Sequence, residues 1–203
     1  MKQVLHKKLH EYRAVILDMD GTLYYQIPLR ICMFFELLCY YGAHIKNLSS
    51  LCTLREYRKA YERGRLGERN RLIDFWMQEK PIPYIRLFRD KKLLVFMQAL
   101  KHKGTKIVLY SDYPLEQKIK ALSPFHADYY FCASDEPIQC LKPDTQGIRH
   151  IIAILHIPVE NMVFIGDRYD KDGKCAEAVG MDYIILDSIP LLRSRLYKKE
   201  FVL

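Results

Sequence analysis

The sequence predicts an α/β fold: a doubly wound parallel sheet that carries an inserted, all-helical segment. Three observations predict it. Five short apolar runs are continuous rather than alternating, which marks strands covered on both faces. Helix-patterned segments lie between the later runs, and alternating strand and helix argue for parallel strands joined by crossovers. The first run ends at residue 18 and the second begins only at 106, whereas the remaining four follow one another up to residue 186.

The runs are AVILD (14–18), KIVLY (106–110), DYYFC (128–132), MVFIG (162–166) and DYIIL (182–186). Between the first and second, residues 28–90 read as helical. Pro28 suits the first position of a helix, where its missing N–H costs nothing. PLRICMFFELLCYY is apolar nearly all round, SLCTLREYRKAYERGR and ERNRLIDFWMQEK each carry a charged face, and PIPY (81–84) punctuates the return. Ahead of the second strand, DKKLLVFMQALKHKG places Leu93, Leu94, Phe96, Met97 and Leu100 on one broad face and stops at Gly104, a helix terminator. DTQGIRHIIAILHI and KCAEAVG fill the later crossovers. The expected organisation is a core of residues 1–27 and 91–203 interrupted by a helical domain, 28–90.

Composition bounds the rest. A chain of 203 residues holds one core of ordinary size and an insertion. Half of it is hydrophobic and 28% is charged, as expected of a soluble globular protein. The basic start MKQVLHKKLHEYRA lacks the apolar stretch of a secretory signal. The longest apolar stretch, ICMFFELLCYY, is broken by Glu36 and too short for a bilayer, so a cytoplasmic protein with no membrane partner is expected. The six cysteines show no C-x-x-C pair and sit mostly in apolar runs, which reads as buried, reduced thiols. A formal charge of +8 attracts anions, but no nucleic-acid-binding pattern accompanies it.

The chemistry lies at the strand ends. The first strand stops at Asp18, and Asp20 follows with only Met19 between, then Gly21 and Thr22. In an open parallel sheet, ligands bind beyond the carboxyl ends of the strands. Two residues apart in extended chain, both acids face the same side, and Gly21 lets the backbone turn towards a ligand. Crowded carboxylates repel unless a cation or a shared proton relieves them. One can then serve as nucleophile or metal ligand while the other carries a proton. An acid-capped turn is the bland alternative. The second strand ends at Ser111, a hydroxyl suited to a phosphate oxygen. The fourth ends at Asp167, with Asp170 and Asp172 behind it, and CLKPD supplies Lys142. Carboxylate oxygens suit Mg²⁺, and a lysine suits a phosphoryl group.

Taken together, DMDGTL, YSD, KPD and GDRYDKDG resemble the four motifs of the haloacid dehalogenase (HAD) superfamily, and DGKCAEAVGM resembles the helix after the fourth. The inserted helices stand where the phosphatase-rich, phosphoglycolate phosphatase-like branch carries its cap. The resemblance implies a Rossmann-type core and a Mg²⁺-dependent phosphatase acting on a small phosphorylated metabolite. Asp18 would be the nucleophile that forms an aspartyl-phosphate. Asp20 would protonate the leaving oxygen and then activate water; its presence disfavours dehalogenation. Mg²⁺ would be held by the Asp18 carboxylate, the Asp20 main-chain carbonyl and Asp167. Thr22 would hydrogen-bond within the loop and orient the acid, while Ser111 and Lys142 would bind phosphoryl oxygens. Asp172 is favoured over Asp170 as the second acid of the fourth motif, acting at the metal through water or by orienting Lys142.

A sugar-phosphate phosphomutase would keep the same catalytic residues. A nucleic-acid end phosphatase would suit the charge, and a non-enzymatic binding module would be expected to lose one of the two acids. In the insertion, Arg55, Arg58, Arg63, Arg65, Arg69 and Arg71 read as a solvated face interspersed with Glu56, Glu62 and Glu68, or as contacts to a substrate anion. Gly64 and Gly67 suggest a mobile turn. Phe34, Phe35, Tyr40, Tyr41 and Trp76 read as core.

Overall fold

Six strands form one sheet in the computed structural model, in the order β1-β6-β5-β2-β3-β4. The structure describes residues 2–43, 56, 59–60, 71 and 74–201. The strands are β1 (Lys2–Val4), β2 (Ala14–Leu17), β3 (Lys106–Ser111), β4 (Tyr129–Cys132), β5 (Met162–Gly166) and β6 (Asp182–Ile185). All neighbours pair in parallel except β1, which runs antiparallel to β6 at the edge. The five predicted strands are present, each within a residue or two of its expected bounds. β1 was not foreseen: three residues of KQV are too short for any periodicity to register.

The continuous apolar runs are explained by two cores. Val15, Leu17, Ile107, Leu109, Val163 and Ile165 pack on one face, and Ala14, Ile16, Val108, Tyr110 and Phe164 on the other. Successive side chains alternate faces, so a strand covered on both sides must be apolar throughout. The covering helices are α1 (Gln26–Ala43), α2 (Ile82–Phe88), α3 (Lys91–His102), α4 (Gln146–Leu155), α5 (Lys174–Glu177) and α6 (Pro190–Glu200). α3 brings Leu93, Leu94, Met97 and Leu100 to the first core, and α4 brings Ile148 and Ile151 to the second. The Asp90 carboxylate caps α3 by accepting from Leu93 N, and Gly104 leaves it at φ +96°, a conformation that suits only glycine well.

Between β2 and β3 the described chain is helical. It leaves and returns side by side: Tyr25 N donates to Phe88 O and Asp90 N to Leu23 O, both at 2.9 Å. Glu36, which interrupts the apolar run of α1, accepts from Lys80 (2.7 Å) and Tyr84 (2.5 Å) and so ties α1 to α2.

Four local expectations need correction. Pro28 lies two residues inside α1, still in the first turn, where backbone N–H groups have no intrahelical acceptor. PIPY opens α2 rather than breaking the chain, because prolines are tolerated at a helix start. Of the aromatics read as core, Tyr41 and Trp76 are buried, but Phe34 and Phe35 are 57% and 58% exposed. A helix apolar all round cannot bury every face against a few neighbours. Likewise only Cys132 and Cys175 among the described, free cysteines are buried. Cys52, Gly64, Gly67, Glu62, Glu68 and the arginines at 55, 58, 63, 65 and 69 lie outside the described residues; Arg71 is exposed. Among the described residues, no helix is long and apolar enough to cross a membrane.

Candidate active site

β2 occupies the middle of the sheet, between β3 and β5, where the connections diverge to opposite sides. A crevice opens at such a point beyond the strand ends. Asp18, Asp20, Ser111, Asp112, Lys142, Asp167 and Asp172 line a cleft of about 80 Å³ there, with Lys171, Arg168, Gln26, Arg30 and Tyr113 around it.

At its floor Lys142 is an almost fully buried ammonium. It donates to Asp18 Oδ1 at 2.5 Å and Asp172 Oδ1 at 2.7 Å and lies 5.3 and 5.5 Å from the ring centres of Tyr110 and Phe164. Burial opposes its charge, but the carboxylates of Asp172, Asp18 and Asp112 outweigh burial and hold it protonated. The neighbouring acids feel the reverse. Burial, with Asp172 and Asp167 nearby, pushes Asp18 well above the usual carboxylate range despite Lys142. Burial and Asp172 raise Asp167 to about 6.

One carboxylate oxygen from each of Asp18, Asp167 and Asp172 lies within 4.8 Å of the others. Two glycines make room for them. A Cβ on Gly21, at φ +92°, would meet Asp167 Oδ2 at 2.1 Å, and one on Gly166 would meet Asp172 Oδ2 at 2.4 Å. Three acids against one lysine leave an excess of negative charge on hard oxygen donors, which fits a small divalent cation.

Thr22 is fully buried under the loop, and its hydroxyl donates to Asp18 Oδ2 at 3.3 Å. It braces Asp18 and does not line the cleft as a phosphoryl-binding residue would. Ser111 does line it, its Oγ accepting from Tyr113 N at 3.1 Å. Asp170 and Asp172 separate cleanly. Asp172 is buried beside Lys142 and also accepts from Arg168 N, whereas Asp170 is exposed and paired with the Arg168 side chain. A π-helical turn, Tyr169–Gly173, sends the two side chains apart.

Four residues of this constellation are not singled out by the sequence. Lys118, buried, grips Asp20 through both oxygens, and Tyr24 donates to the same carboxylate. Burial alone would raise Asp20; Lys118 and Tyr24 outweigh it and hold the acid below its usual range. Lys171 pairs with Asp112, whose other oxygen accepts from Lys142 N. Arg193, buried on α6, donates to the carbonyls of Gly21, Thr22 and Asp187 and to Asp90 Oδ2. It fastens the loop that carries both acids. Lys118, Tyr24 and Arg193 sit in unremarkable segments, and Lys171, although inside GDRYDKDG, carries no mark there of its pairing with Asp112, so the folded chain singles them out.

The family model for haloacid dehalogenase-like hydrolases matches residues 15–186. Among curated proteins, none matches this sequence. Solved structures with the same fold include a HAD phosphatase from Thermococcus onnurineus, 19% identical, with 86% of each chain covered and a TM-score of 0.62. CbbY from Rhodobacter sphaeroides in complex with phosphate is 18% identical over 87% of this chain and 86% of its own, at a TM-score of 0.60. YfnB from Bacillus subtilis, bound to magnesium, is 14% identical over 93% and 98%, at 0.59. At such identities the likeness shows the fold. The family match spans the sheet from β2 to the end of β6 and every residue of the cleft, and the chain therefore belongs to the haloacid dehalogenase-like hydrolase family as an enzyme of that superfamily.

Proposed function

We propose that the protein is a Mg²⁺-dependent phosphatase that hydrolyses a small phosphate monoester through an aspartyl-phosphate on Asp18. The observation that carries this reading is the pairing of Asp18 with Lys142 at the floor of the cleft, with Asp20 in the same wall. A carboxylate braced by Thr22 and Lys142 is held in one orientation, as a nucleophile for in-line attack must be.

Attack by a carboxylate oxygen of Asp18 forms the O–P bond as the ester oxygen departs with a proton from Asp20. Water then gives a proton to Asp20 and its oxygen to phosphorus, which frees phosphate and restores Asp18. Lys142 and the Ser111 hydroxyl neutralise and orient the phosphoryl oxygens, the electrostatic contribution on which phosphoryl transfer chiefly depends. Asp172 holds Lys142 in place. Lys118 and Tyr24 fix the Asp20 carboxylate and hold it below its usual range in the free protein. Asp18, Asp167 and the Asp20 main chain would hold Mg²⁺, which supplies further charge neutralisation when bound.

The two relatives found with phosphate and with magnesium support the reading. The test is phosphate release from a panel of monoesters with and without Mg²⁺, using wild type, Asp18→Asn and Asp20→Asn. Mg²⁺-dependent release that falls at least about 10³-fold in Asp18→Asn is expected. Release independent of Mg²⁺, or undiminished in Asp18→Asn, would overturn it.

A further inference from the structure

Beyond Asp20 the phosphoryl cleft continues into a second, larger space of about 290 Å³, close to the low end of small-molecule sites. Asp20, Gln26, Arg30 and Tyr113 line both spaces. A group bonded to phosphorus on the Asp20 side therefore has this space before it.

Its wall, among the described residues, is mostly apolar, with Asp20, Tyr24, Gln26, Arg30, Tyr113 and Lys118 as its polar members. Leu29, Met33 and Leu37 stand four residues apart on α1 and form one stripe along the helix. Trp76, Met77 and Pro81 contribute the rest. The one buried cation among the described lining residues, Lys118, is already matched by Asp20 through two short hydrogen bonds, and Arg30 is exposed at the junction. Trp76 is only 4% exposed.

Resting on the phosphatase reading, we propose that this space is the leaving-group subsite and that the substrate is the phosphate monoester of a predominantly apolar alcohol, not of a polyhydroxylated sugar. Each methylene removed from water into such a wall strengthens binding about fourfold. Each sugar hydroxyl taken in without a partner weakens it by about tenfold or more. Among the described lining residues, a bisphosphate's second anion finds only Arg30 at the rim and Lys118, already matched by Asp20.

The test is a series of n-alkyl monophosphates from ethyl to octyl, compared with glucose 6-phosphate, on the full chain with Mg²⁺. All are esters of primary alcohols, so the chemical step is matched and differences report the subsite. We expect kcat/KM to climb about fourfold per methylene over the first few members and to pass that of glucose 6-phosphate by about 10²-fold. Leu37→Ser should flatten the climb; if that variant fails to fold, the wild-type series decides alone. A flat series, or a preference for glucose 6-phosphate, overturns this inference and leaves the phosphatase reading standing. Phosphate release from none of these esters, nor from p-nitrophenyl phosphate, overturns both.

Discussion

Lys118 holds both carboxylate oxygens of Asp20, at 2.7 and 2.8 Å, from a position 98 residues further along the chain. The pair sits where the phosphoryl cleft meets the apolar space beyond it. It sets the orientation and charge of Asp20, the proposed acid for the leaving group. Lys118→Met should lower kcat about 10²-fold with primary alkyl phosphates and much less with p-nitrophenyl phosphate, whose leaving group departs without a proton. Lys118→Arg should recover part of the loss. Steady-state kinetics on the two substrate types check this; equal losses on both would reduce Lys118 to a structural partner.

Arg193 fastens the loop of Asp18 and Asp20 to α6. Its guanidinium spans the Gly21 and Thr22 carbonyls and Asp90 Oδ2, with Asp187 O at 2.5 Å from Nε. Truncation would leave the buried Asp90 carboxylate, still bonded to Leu93 N and Tyr197 OH, without its cation, and the Gly21, Thr22 and Asp187 carbonyls without this donor. Arg193→Ala should cost about 3–5 kcal/mol in urea unfolding. Arg193→Lys should rescue little, since one ammonium cannot reproduce a fork of donors.

The crowded carboxylates predict a metal-linked gain in stability. A saturating divalent cation, at about a hundred times its dissociation constant, adds ~2.7 kcal/mol. For a chain of this size that raises Tm by roughly 5–10 °C. Asp167→Asn should abolish most of the rise, and Asp172→Asn should weaken it. Asp170→Asn, outside the cleft, should keep it whole. Thermal melts with and without Mg²⁺ check the order; a larger loss in Asp170→Asn than in Asp172→Asn would reverse the assignment of the second acid.

Stability should depend on pH through Asp182. Burial works against its charge, but hydrogen bonds from the Tyr12 hydroxyl and from His6 N, at 2.8 Å, outweigh burial and hold the carboxyl below its usual range. A group depressed in the folded state stabilises above its unfolded pKa of about 3.9 and loses that contribution as pH falls through its folded value. Asp182→Asn should therefore cost about 1–3 kcal/mol at pH 7. The difference from wild type should shrink below about pH 4. Denaturant unfolding at both pH values checks it.

How much of this was legible beforehand depends on the kind of signal. AVILD and MVFIG are unbroken because both sheet faces are covered, so strand, burial and sheet type followed from one pattern. DMDGTL, YSD, KPD and GDRYDKDG are local in the chain, and Asp18, Asp20, Ser111, Lys142, Asp167 and Asp172 from them do meet in one cleft. Phe34 and Phe35 misled for the opposite reason: hydrophobicity signals a tendency to be buried, and only neighbours decide whether a face is covered.

Sequence by itself determined the doubly wound sheet, its family and the residues at the strand ends, because periodicity and short motifs are properties of neighbouring positions. Only the folded chain decided that Thr22 braces Asp18, that Asp172 and not Asp170 faces Lys142, and that Lys118 and Arg193 hold the loop of Asp18 and Asp20. Those pairings join distant segments through ordinary charged side chains. Their strength comes from burial and geometry, which do not exist until the sheet brings the segments together.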